Sequence, residues 1–149
     1  MNLIVAVMCG LVGISDVPKP VLDSVAKKYP GAKQLRYERE TEEGKTIYEI
    51  QLLADGHKID VDVTPEGRIF EEEEEIDFSS APDAVKKSLV ASPKYGKWSV
   101  KRAEKITHAD RPAPDYELLL ARGKDRAELV FAADGKLLKT EPKKPGAED

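Results

Sequence analysis

The chain states one pattern twice at a fixed interval. Tyr48-Glu49-Ile50-Gln51-Leu52 returns as Tyr116-Glu117-Leu118-Leu119-Leu120, and Gly67-Arg68-Ile69 returns as Gly135-Lys136-Leu137, each pair 68 positions apart. Between them Ile59, Val61 and Val63 map onto Ala127, Leu129 and Phe131 at the same spacing. Side chains alternate sides along a strand, so a repeat that returns the apolar positions at one interval keeps both register and face. Such a chain duplicates a pleated scaffold. Neither copy holds an obvious catalytic constellation, so the pattern describes a surface more than a reaction.

A length of 149 residues suits one ordinary domain or two small halves sharing a core, and the repeat favours the second. With 35% charged and 40% hydrophobic residues the composition is that of a soluble globular chain. A net charge of -4 argues against nucleic acid, whose binders gather Lys and Arg into a basic face, and mildly for a basic partner or none.

The start of the chain differs from the rest. Residues 3–14 form an uncharged apolar run, too short for a bilayer span and fitting the apolar region of an export signal. Gly13 and Ser15 supply small residues for a cut after Ser15, so residues 1–15 are expected to be a signal peptide. Met1-Asn2 lacks the usual Lys or Arg, and a buried N-terminal strand is the competing reading. Cys9, the only cysteine, follows Ala6-Val7-Met8 too early for a lipoprotein signal. Cleavage would leave no thiol and therefore no disulfide.

Each half is expected to open with a short helix. Val21, Leu22, Val25, Ala26 and Tyr29 recur at helical spacing, as do Val85, Leu89 and Val90, and Asp16, Pro18, Val21 and Val25 correspond to Ser80, Pro82, Val85 and Leu89. Ser80 and Asp83 read as a variant capping box. Pro30 and Pro93 stop the helices, because proline disfavours helical geometry in the residue before it. Strands are expected at 33–39, 46–53, 58–64 and 68–75, divided by the hairpin signals Glu43-Gly44, Asp55-Gly56 and Glu66-Gly67. The second set falls at 98–106, 115–122, 126–132 and 136–141, with a longer loop at 107–114. The expected architecture is therefore α+β: two tandem helix-plus-four-stranded antiparallel repeats, at 16–78 and 79–141, with the helices on one face of an about eight-stranded sheet and a polar tail at 142–149.

Alternation assigns the faces. Leu35, Tyr37, Tyr48, Ile50, Leu52, Ile59, Val61 and Val63 should meet the helices, with Trp98, Val100, Tyr116, Leu118, Leu120, Leu129 and Phe131 as their counterparts. Burying each large apolar side chain contributes roughly 1.5–3 kcal/mol, and one half alone would be marginal. The opposite face carries Arg36, Glu38, Glu49, Gln51, Lys58, Asp60 and Asp62, then Glu117, Glu128, Leu119, Ala121 and Val130.

Tyr29-Pro30-Gly31-Ala32, Tyr48-Glu49-Ile50 and the stretch from Val61-Asp62-Val63-Thr64-Pro65 through Glu66-Gly67-Arg68-Ile69 into an acidic strand resemble the PepSY-like family, also described as β-lactamase-inhibitor-protein-like. The resemblance covers residues 18–141 as two copies, the second altered to Ser92-Pro93-Lys94-Tyr95. It implies a secreted or periplasmic, non-catalytic protein whose open sheet face binds another protein. No inhibitory residue of the family maps onto this chain.

The remaining candidates each have a plainer reading. The acidic run at 71–75 is a docking strip or a weak Ca²⁺ site, or else a soluble strand paired with Arg36, Arg39 or Lys58. Asp60, Asp62, Thr64 and Glu71 imitate EF-hand spacing, but Pro65 stands where that loop needs Gly. His57 and His108 have no partners at zinc-ligand spacing. Trp98 alternates with Val100 and is read as core rather than as a partner anchor. No cofactor, metal or catalytic residue is therefore expected. The leading expectation is an exported binding module whose open sheet face, through Glu49, Gln51, Asp60, Asp62, Glu117, Leu119, Ala121 and Val130, holds an envelope or secreted protein or peptide. The alternative is an envelope structural protein without a specific ligand, followed by a small-ligand carrier and last an enzyme.

Overall fold

The computed structural model describes residues 8–42 and 44–144. Among them the strands are β1 (Met8–Leu11), β2 (Lys33–Glu42), β3 (Lys45–Ala54), β4 (His57–Val63), β5 (Ile69–Glu75), β6 (Ser99–His108), β7 (Asp115–Arg122), β8 (Asp125–Ala132) and β9 (Leu137–Lys143). The helices are α1 (Lys19–Lys28) and α2 (Asp83–Ala91).

The strands hydrogen-bond in sequence order, from β1 to β9, in one nine-stranded antiparallel sheet. The class is α+β, but this topology corrects the expected pair of helix-plus-four-stranded repeats on about eight strands. Two causes are visible. The apolar run near the start contributes β1, in which Met8 lies opposite Thr41 and Leu11 opposite Glu38 of β2. The first compact unit, Met1–Glu73, and the second, Glu74–Asp149, divide within the residues of β5. Of the segments read above, residues 1–7 of the expected signal, Glu43 of the first hairpin and residues 145–149 of the tail lie outside the described residues.

In the first unit, α1 turns Val21 and Val25 onto a core with Val17, Tyr48, Ile50, Leu52, Ile59, Val61 and Val63. The alternation of β3 and β4 places these residues, and the Asp55-Gly56 turn between the strands has positive φ at both residues, as a two-residue hairpin needs. Leu35 does not join this core. The register slips between Gln34 and Arg36, so Leu35 sits in a bulge and stays 40% exposed. Tyr37 packs against the core only in part.

In the second unit, Val85 and Leu89 of α2 meet Tyr116, Leu118, Leu120, Ala127, Leu129 and Phe131. Trp98 belongs to this core, its ring edge-on to Tyr95 at 5.1 Å and covered by the Arg122 guanidinium at 4.8 Å. A second slip falls at Lys101, between Val100 and Arg102, and Val100, opposite Leu120, packs half-buried against this core.

Tyr29 and Ser92, each preceding a proline, leave helical geometry and end α1 and α2. The expected capping box does not form. Pro82 occupies the cap position without a side-chain bond, Ser80 lies in a 3-10 turn, and Asp83 instead pairs with Lys86 at 3.0 Å.

Close packing of turn on helix shows at Gly67. Its φ is +90°, and a Cβ there would lie 2.5 Å from the Pro20 carbonyl oxygen and 2.7 Å from Ser24 Oγ. At Gly135, 68 positions on, the same approach is made to Ala84 and Ser88 at 2.5 and 2.7 Å.

Candidate functional site

On β2, β3 and β4 the side chains that alternate away from the core bring acids into direct cross-strand register. Glu38 lies opposite Glu49, and Glu49 opposite Asp62. The next row pairs Arg36 with Gln51 and Gln51 with Asp60. All four expected site residues of this unit therefore share one patch, although Glu49, Gln51, Asp60 and Asp62 are half-buried rather than open. Arg36 Nε stands 2.9 Å from Glu38, and Arg36 Nη2 3.8 Å from Glu49.

Like charges directly opposite in a sheet destabilise it, and partial burial adds to the cost of ionisation. Burial first, then Asp60, Glu38 and Glu40, push the Glu49 carboxyl up to about 7. Burial first, then Glu49, Glu71, Glu40 and Asp60, push Asp62 up to about 8.

The acidic run divides by strand alternation. Glu71 acts on Asp62, whereas Glu72 accepts bonds from the Lys28 ammonium and the Tyr29 hydroxyl of the α1 end. The partner of Glu72 thus comes from a helix, not from Arg36, Arg39 or Lys58, because neighbouring residues of a strand point to opposite sides.

On the equivalent face of the second unit the acids alternate with an apolar residue and with lysines. Glu104 lies opposite Glu117, Glu117 opposite Val130, and Val130 opposite Lys139. Burial and Glu128 raise the Glu117 carboxyl, but Arg102, Lys143 and Lys139 act against them. Lys143 reaches Glu128 at 2.7 Å. Of the expected residues here, Glu117, Leu119 and Val130 are half-buried, and Ala121 is buried at 5% exposure. Ala121 therefore presents almost nothing to a partner, which corrects its reading as part of an open apolar patch; it lies opposite the long side chain of Arg126.

A clamp at the hairpin between β6 and β7 carries no mark in residue spacing. Asp115, 5% exposed, accepts from both terminal nitrogens of Arg111, one at 3.1 Å, and lies 3.2 Å from His108 Nε2. The Arg111 bonds hold its carboxyl below the ordinary 3.8. Its ionised form thus stabilises the fold above that value, and the contribution is lost as pH falls through the depressed native value. Asp115→Asn should cost about 1.5–3 kcal/mol at pH 7 and progressively less toward pH 3, read by urea unfolding across that range.

Among the described residues, no group of three His, Cys, Asp or Glu side chains is arranged to hold a metal ion. No described helix is long and apolar enough to cross a membrane.

Comparison with known proteins gives a consistent result. Residues 9–71 and 53–139 each match the family described as "Putative beta-lactamase-inhibitor-like, PepSY-like". No curated protein matches the chain. Among solved structures, a "putative periplasmic" protein of Bacteroides eggerthii aligns with a TM-score of 0.74 at 16% identity, covering 85% of this chain and 88% of the other. A DUF2874 family protein of Bacteroides uniformis gives 0.71 at 16%, covering 84% and 88%. A BLIP-like protein of Bacteroides fragilis gives 0.68 at 22%, covering 89% and 91%. At these identities the likeness is one of fold.

Proposed function

This chain belongs to the PepSY-like, beta-lactamase-inhibitor-like family, and from that premise we propose that it is an exported, non-catalytic binding module that holds a basic protein or peptide segment on the acidic face of β2, β3, β4 and β5. Export is supported by the periplasmic description of the B. eggerthii neighbour; the apolar composition of 3–14 also suits an export signal, although its Met8–Leu11 part pairs with β2 as a strand.

One observation carries the choice of partner. The row Glu49, Asp62 and Glu71 stands where the second unit, 68 positions on, has Glu117, Val130 and Lys139. One copy of the scaffold has Val130 and Lys139 in place of two of these three acids, and the other has kept all three beside one another at a cost to its own folding. Groups held in such mutually unfavourable company mark functional surfaces more often than inert ones. A cationic segment placed across them would relieve the repulsion and the desolvation together.

Fluorescence anisotropy with a labelled pentalysine peptide at pH 9, where Glu49 and Asp62 are both ionised and lysine is still charged, tests this. The wild-type chain should bind it at low ionic strength and release it as salt rises. Glu49→Gln combined with Asp62→Asn should weaken binding at least tenfold, whereas Glu117→Gln should leave it unchanged. No binding at low salt, as expected of a purely structural envelope protein, or equal binding by the double variant, would overturn the proposal.

A further inference from the structure

A groove of about 430 Å³ lies in the first unit at the start of β3 and the turn after β4, lined by Ile47, Pro65 and Phe70 together with Thr46, Thr64, Glu66 and, at the edge of the strand, Lys45. Ile47 and Phe70 are half-buried, yet neither belongs to or packs against either apolar core. Their apolar surface is therefore gathered around a space instead of being spent on the fold, the usual character of a site awaiting an apolar group.

The groove continues the acidic face. Ile47 precedes Glu49 by two residues on the same side of β3, about 7 Å away at the rise of a strand. Thr64 follows Asp62 by two residues, just past the end of β4. The second unit does not repeat the arrangement. Asp115 stands at the position of Ile47 and is tied to Arg111 and His108, and Leu138, at the position of Phe70, is 47% exposed.

We propose that the basic segment inserts one bulky apolar side chain into this groove while its flanking Lys or Arg residues lie on Glu49, Asp62 and Glu71, so that the ligand is an amphipathic cationic peptide and not a merely cationic one. This rests on the binding face assigned above, and it adds the apolar contact that general electrostatic attraction cannot supply. A side chain such as Phe, buried between Ile47, Pro65 and Phe70, would give the pairing its selectivity, since charges at a rim mainly speed encounter.

Two matched peptides separate the ideas: Lys-Lys-Phe-Lys-Lys and Lys-Lys-Ala-Lys-Lys, each titrated against the full chain by isothermal calorimetry. The Phe peptide should bind the wild-type chain at least tenfold tighter. Ile47→Thr should reduce that preference to less than threefold while leaving the Ala peptide unaffected, and Phe70→Ser should do the same, each variant being checked for an unchanged circular dichroism spectrum. Asp62→Asn should weaken both peptides and keep their ratio. Equal binding of the two peptides by the wild-type chain overturns the groove assignment but leaves the acidic face standing. Failure of both peptides to bind overturns the acidic face and this inference with it. A preference for Phe that survives both groove variants places the apolar contact elsewhere and also refutes the assignment.

Discussion

Replacing Gly67 by Ala should remove a large part of the fold's stability, about 3–5 kcal/mol against a typical total of about 5–15 for a chain of this kind. Two costs combine there. The backbone φ of +90° is one that side-chain-bearing residues rarely adopt, and the new methyl would stand 2.5 Å from the Pro20 carbonyl oxygen. Neither the carbonyl nor the helix that carries it can yield cheaply, because the neighbouring Val21 and Val25 are fully buried in the core. Gly56 is the control: its φ is +83°, but nothing lies within 4 Å of a Cβ built on it. Gly56→Ala therefore carries the conformational cost alone, about 1–2 kcal/mol. Urea unfolding should show a much lower midpoint for Gly67→Ala than for Gly56→Ala at equal slope. Equal midpoints would mean that the turn does not rest on α1 as described.

The second large effect has the opposite sign. Asp62→Asn should stabilise the protein at alkaline pH by about 1–3 kcal/mol and leave it unchanged near pH 4. The sign follows from proton binding. Asp62 has an ordinary value of 3.8 and a native value of about 8, so between these limits the native state holds a proton that the unfolded chain has released. Stability is greatest below the lower limit, falls as pH rises through the window, and levels off above the upper one. Asparagine offers nothing to titrate, so the variant escapes the decline. Glu49→Gln should behave likewise over the window from 4.5 to about 7. Unfolding series from pH 4 to pH 9 would settle the matter; a difference that stays constant or reverses would refute the crowded-carboxylate reading. The same substitution is expected to weaken peptide binding, so a gain in stability would accompany a loss of function.

The sequence disclosed the scaffold well where one periodicity acted alone. The apolar alternation of β3, β4, β7 and β8 placed Ile50, Leu52, Val61, Val63, Leu118, Leu120, Leu129 and Phe131 in the cores, and all are buried. It failed where a single extra residue shifted the phase. A bulge leaves no mark in composition, so alternation points Leu35 inward, whereas it sits in the bulge and is 40% exposed. The nine-stranded topology was hidden because a short apolar run has the same appearance as an export segment and as a strand, and only the pairing of Met8–Leu11 with β2 shows the strand. The candidate face was legible as a list of residues, not as an environment. That Glu49 faces Asp62 depends on register, and that Ala121 is covered depends on neighbours across the strand. Ile47 and Phe70 carry no signal in sequence, since isolated apolar residues at strand ends are ordinary there and informative only when they surround a space.

The binding face is tested most directly by following backbone amide resonances of the full chain while Lys-Lys-Phe-Lys-Lys is added. The shifts should concentrate at Glu38, Glu49, Asp60, Asp62 and Glu71, with Ile47 and Phe70 moving in step and Glu117 and Val130 still. Shifts that fall mainly on the second unit, or that are absent at saturating peptide, would contradict the assignment of the acidic face as the place where a partner is held.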